Sequence, residues 1–180
     1  MTASASLMLL IGLRLADAEV APAIVQAAKD NLAIVTRALP GIIKGRSHYV
    51  YLGAGCLFGL ASEGALKLQE MSLSYSQAFH PMEYRHGPIS LVDKSTFAVM
   101  MYSRDTLAEE ARVAGEIQDK GAYLLGFGGP GDLSLPLDLD GPQRSLAILP
   151  ALQILGERVA GERHIDTVAP RHLNKVVVLS

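Results

Sequence analysis

The chain has 180 residues, 49% of them hydrophobic, with a formal net charge of −2 and one cysteine. That size and apolar content predict one domain with a substantial core, and the near-neutral charge lacks the basic footprint of a nucleic-acid binder. The lone Cys56 excludes an internal disulfide, fits a reducing compartment and reads as a small buried hydrophobe.

Residues 4–16 read as a helix apolar on nearly every side, with Leu7, Leu9, Leu10, Ile11, Leu13 and Leu15; such a helix belongs inside a larger body. No basic residue precedes this run, and Arg14 and Asp17 cut it well short of the roughly 20 residues of a membrane span. A soluble cytoplasmic protein is therefore the expectation. Residues 20–44 form a second helical region, an amphipathic connector with Pro22 near its start and Pro40-Gly41 interrupting it.

Residues 48–52 are β-rich and lead through Gly53-Ala54-Gly55 into a helix over about residues 59–71. Strand, glycine turn and helix begin a doubly wound α/β unit, in which the helix N-terminus can receive an anion. The turn lacks the longer dinucleotide fingerprint, so nicotinamide binding is rejected. In the helix, Leu60, Gly64, Leu68 and Met71 recur at helical spacing, while Glu63, Lys67 and Glu70 share one narrow stripe. By periodicity alone that stripe is a solvated salt-bridge ladder led by the Glu63–Lys67 pair. Residues 77–88 then crowd Phe, His, Pro, Met, Glu, Tyr, Arg, His and Gly into one irregular run, the kind of loop in which binding groups collect. Glu83 and Arg85 are expected to pair locally and shape it.

Residues 96–102 are the next strand. The turn Ser103-Arg104-Asp105-Thr106 reads as structural, since Asp105 caps a helix well and repels phosphate. A helix follows over residues 107–120, with Gly121 at its stop. Strands are expected at 122–127 and 133–139, the second at an edge because of Pro136. A long helix covers 144–161, an irregular tail 163–174, and a last strand 175–179. The alternation predicts an α/β fold, a doubly wound parallel sheet flanked by helices in three αβα layers.

EGALKLQE at 63–70, the loop ending EYRHGP at 83–88, and the tail APRHLNKVVVLS at 169–180 resemble the second sugar isomerase (SIS) module of the isomerase half of glucosamine-6-phosphate synthase and its relatives. The resemblance covers nearly the whole chain. It implies an SIS domain over 46–180, a helical linker over 20–45, and the last helix of a truncated preceding SIS module over 1–19. It also implies a sugar phosphate as partner, a homodimer, no cofactor, and no association with nucleic acid or membrane.

Site residues carry over by matching position. Glu70 matches the carboxylate that shuttles a proton between adjacent carbons, and Lys67 its cationic neighbour. His86 matches the ring-opening histidine that the adjacent subunit supplies, and Lys175 the lysine that forms a Schiff base with a ketose. Arg171 and Asn174 are implied in substrate binding. Taken alone, His86 reads better as a hydrogen-bonded turn residue, and Lys175 reads also as a solvated edge lysine. His80, His164 and His172 show no metal spacing, and no metal is assigned. No glutaminase region is present, and the Ser/Thr-rich phosphate loops of a first module are missing. The expected function is isomerisation or deamination of a hexose or hexosamine 6-phosphate, without glutaminase activity. The alternatives are a non-catalytic sugar-phosphate regulatory module, or an inactive fragment lacking its phosphate-binding first half.

Overall fold

A computed structural model describes residues 22–139 and 141–168. The apolar N-terminal segment, the closing strand, and Arg171, His172, Asn174 and Lys175 lie outside the described residues. In chain order the elements are α1 (Pro22–Ile42), β1 (His48–Gly53), α2 (Cys56–Ser72), β2 (Tyr75–Phe79), a single turn α3 (Pro81–Tyr84), a 3-10 turn (Pro88–Leu91), β3 (Thr96–Met101), α4 (Leu107–Asp119), β4 (Tyr123–Phe127), β5 (Leu133–Leu135) and α5 (Gln143–Glu162).

The strands form one parallel sheet of order β2-β1-β3-β4-β5. Side chains alternate across it, as the twofold period of a strand requires. Tyr49, Tyr51, Phe97 and Val99 face one layer, with Leu39, Leu68, Leu152 and Leu155 from α1, α2 and α5. Val50, Leu52, Ala98 and Met100 face the other, with Tyr84, Val92, Val113 and Ile117 from the β2–β3 crossover and α4. The doubly wound three-layer fold read from the sequence is the fold observed.

Several local expectations are corrected. Pro40 does not interrupt α1, which runs on to Ile42. It sits in the last turn, where it forfeits only one backbone bond, and the buried Leu39 and Ile43 keep that turn against the core. Helix α2 begins at Cys56, three residues early, which leaves Cys56 exposed rather than buried. Residues 77–88 are not one irregular loop. Their first residues complete β2, an edge strand whose polar Ser76 and Gln77 conceal the alternation, and two short helical turns follow. Strand β5 stops at Leu135, because Pro136 cannot donate to the ladder. Among the described residues, no helix is long and apolar enough to cross a membrane.

Candidate functional site

Helix α2 buries Leu60, Ala61, Gly64, Ala65 and Leu68 against the sheet and α5, and this packing fixes the direction of its remaining stripe. Lys67 lies on that stripe and is only 7% exposed. A buried ammonium needs partners, since leaving one unpaired is strongly destabilising. Lys67 Nζ donates to Glu70 Oε2 and stands 3.9 Å from Glu63 Oε1. The closer pairing is therefore with Glu70 at i+3, not with Glu63 as helix-pair preference suggested. One cation sits between two half-buried carboxylates, so the stripe is a partly desolvated cluster and not a solvated ladder.

The end of α2 that carries Glu70 is stapled by groups that periodicity does not reveal. Leu73 takes the left-handed conformation at φ 51° and ψ 34°, returning its N–H to the Gln69 carbonyl. This region is uncommon for a residue with a Cβ. Its neighbours hold it there. Ser72 Oγ donates to the Leu68 carbonyl at 2.6 Å and lies within hydrogen-bonding distance of Ser74 Oγ at 2.8 Å, and Arg163 from the end of α5 donates to Ser74 Oγ at 2.7 Å. Gln69 Nε2 bonds the Ser76 carbonyl and Ser76 Oγ the Ala65 carbonyl, locking α2 to β2. The run SLSYS holds three serines but no pattern that would announce this network.

His86 is exposed and lies in the β2–β3 crossover. Its neighbour Tyr84 is buried in the layer opposite the one that α2 covers. The structure therefore gathers Glu63, Lys67 and Glu70 on one face of the sheet and carries His86 in the segment covering the other. The expected Glu83–Arg85 pair is corrected: Arg85 reaches α4, with Nε 3.0 Å from Glu116 Oε2 and Nη2 2.6 Å from Glu116 Oε1. A flexible local pair has little to recommend it against a fork that meets both oxygens of a fixed carboxylate. His80 stacks on Phe58 at the start of α2, with ring centroids 4.2 Å apart.

A cleft of about 450 Å³ opens at the carboxyl ends of β1 and β3, lined by residues 54–57, 103–106 and Arg144. This is where the strand order reverses, the usual ligand crevice of open α/β sheets. Its two arginines are engaged within the fold. Arg144 donates to the carbonyls of Tyr102, Leu137 and Leu139, and Arg104 pairs with Asp138. The turn is held, but Asp105 is not the helix cap expected of it. Residue Thr106 is the N-cap, and Glu110 reaches back to Thr106 Oγ1 at 2.9 Å and the Ser103 N–H at 2.8 Å. Burial pushes the Glu110 carboxyl above its ordinary range. Among the described residues no cluster of three or more His, Cys, Asp or Glu could hold a metal.

No family model matches the chain. The isomerizing glutamine–fructose-6-phosphate aminotransferase of Chlorobaculum tepidum is 31% identical over 147 residues, covering 76% of this chain and 24% of that protein. The crystal structure of glucosamine-6-phosphate deaminase from Thermotoga maritima superposes with a TM-score of 0.88 at 34% identity, covering 99% of this chain and 57% of that one. The C-terminal domain of glucosamine-fructose-6-phosphate aminotransferase from Francisella tularensis gives 0.71 at 26% identity, over 81% and 43%. The chain spans about a quarter of the length of the curated relatives it matches.

Proposed function

The chain carries a sugar isomerase (SIS) domain, and we propose that it serves as the second module of an enzyme that isomerises or deaminates a hexose or hexosamine 6-phosphate. The observation that carries this reading is the buried Lys67 held against Glu70 and Glu63. A non-catalytic sugar-phosphate sensor needs no proton shuttle, and burying charges in this way has a desolvation cost that a plain structural helix avoids. Residues 1–19 are then the last helix of a preceding module, and residues 20–45 the linker.

In the proposed mechanism His86 moves the proton between the sugar's anomeric hydroxyl and ring oxygen, freeing the carbonyl. The Lys175 amine adds to the ketose carbonyl carbon, water leaves, and an imine results. Ammonia then displaces the lysine amine to leave a free C2 imine on the aminosugar route, or water restores the ketose carbonyl on the isomerase route. Glu70 takes a proton from C1 and returns it to C2 while Lys67 fixes the carboxylate in place, and deamination is the same sequence reversed. Arg171 and Asn174 hold the substrate. No glutaminase chemistry is assigned to this chain.

Glu70 and His86 belong to opposite layers of the sheet, which supports a homodimer in which one copy lends His86 to the other. A mixture of Glu70→Gln and His86→Ala chains tests this directly. Each alone is inactive; after unfolding and refolding together, about a quarter of wild-type activity returns, the statistical yield of randomly paired dimers with shared sites. No recovery from a mixture confirmed as heterodimeric would show that the two groups act within one chain.

Schiff-base chemistry is checked by borohydride reduction in the presence of fructose 6-phosphate or glucosamine 6-phosphate, followed by peptide mapping. The expected adduct lies on Lys175 and disappears in Lys175→Ala. A folded protein that gives no adduct would sink the imine step and leave the regulatory-module reading standing.

A further inference from the structure

From the bidentate contact between Arg85 and Glu116 we infer that these two are positioning residues, a clamp that presents the His86 imidazole for ring opening. The inference rests on the function proposed above. Arg85 directly precedes His86, and its guanidinium meets both Glu116 oxygens, at 3.0 Å and 2.6 Å, across 31 residues of sequence. Glu116 is a stiff anchor, because α4 is locked into the core by the fully buried Val113, Ala114 and Ile117. Tyr84 on the other side of Arg85 is 1% exposed, and the His86 N–H closes a turn on the Glu83 carbonyl at 3.0 Å.

The result is an exposed imidazole on a backbone pinned at its preceding residues. Stability alone does not account for the ion pair. Arg85 and Glu116 are 45% and 38% exposed, and solvent-exposed pairs contribute little to folding. What a fork-to-carboxylate pair supplies at a surface is orientation. A histidine that acts on a sugar bound by another copy needs that orientation more than any group held inside its own site, since displacement by about 1 Å can cost on the order of 100-fold in rate.

The test compares the full chain with Glu116→Gln and with the charge-reversed double variant, Arg85→Glu with Glu116→Arg. Two substrates are used: glucosamine 6-phosphate, and its 4,5-dideoxy analogue, which cannot close a pyranose or a furanose ring and needs no ring opening. The clamp predicts that Glu116→Gln lowers kcat on the cyclic substrate by about 10- to 100-fold with KM nearly unchanged. Turnover of the acyclic analogue stays within about threefold of wild type, and the double variant recovers activity on the cyclic substrate. Equal loss on both substrates, or loss on neither, overturns the inference.

Amide hydrogen exchange over residues 82–90 gives a second readout that needs no turnover. Exchange is faster in Glu116→Gln and slows again in the double variant; unchanged exchange overturns the clamp whatever the activity. A wild-type chain that turns over neither substrate, with the exchange result as expected, places the failure in the proposed reaction and leaves the clamp as the anchor of this loop.

Discussion

Glu70→Gln is expected to lower kcat by about 100- to 10,000-fold, the range that a positioned acid–base group contributes, with the fold essentially intact. Glutamine keeps the length of the side chain and an oxygen that can accept from Lys67 Nζ, and Glu63, 3.9 Å away, remains as a carboxylate partner. The stability change is therefore about 1 kcal/mol. Loss of proton transfer is separable from loss of binding by following solvent deuterium into the sugar carbon next to the carbonyl. Wild type exchanges that proton, and Glu70→Gln does not, although substrate still protects it against thermal unfolding. If deuterium wash-in persists in the variant, Glu70 is only a rung of the charged stripe and the proton shuttle lies elsewhere.

Gly64→Ala and Gly59→Ala are expected to move stability in opposite directions, although both glycines lie in α2 and both changes gain up to about 1 kcal/mol in helix propensity. At Gly59 an added Cβ meets nothing within 4 Å, so the propensity gain is realised. At Gly64 the Cβ would stand 2.8 Å from Tyr51 Cδ1 and Cε1 and 3.0 Å from Leu152 Cδ1. Tyr51 is fully buried and its ring has nowhere to swing. Overpacking of this kind costs about 1–3 kcal/mol, which outweighs the helix gain. Thermal unfolding of Gly64→Ala should fall by up to about 8 °C, for a net loss of up to about 2 kcal/mol at roughly 2–4 °C per kcal/mol in a chain of this size, while Gly59→Ala rises. A Gly64→Ala midpoint at or above wild type would mean that α2 can lift off β1 cheaply, and the close packing beneath the Lys67 cluster would be wrong.

Gly64 also marks the boundary between what the chain states openly and what it conceals. In the sequence it is one member of a helical period with Leu60, Leu68 and Met71; only the approach of Tyr51 and Leu152 shows why that member has no side chain. Similarly, Glu63, Lys67 and Glu70 fall on one stripe by counting at roughly 100° per residue. The count cannot say whether the stripe faces solvent, nor which glutamate Lys67 chooses. Packing of α2 between the sheet and α5 settles both.

Local sequence by itself determined the alternation of strands and helices, the parallel doubly wound sheet, and most element positions to within a few residues. Hydrophobic period, glycine stops and proline breaks are properties of neighbouring residues, and they act before any distant contact forms. The edge strand β2, the continuation of α1 past Pro40, the serine staple behind Glu70 and the Arg85–Glu116 fork were decided only by the tertiary structure. Each depends on groups far apart in the chain. Ser74 meets Arg163 across 89 residues, and Arg85 meets Glu116 across 31. Such pairings have no local signature, because their energy comes from burial and geometry that exist only once the sheet has brought the layers together.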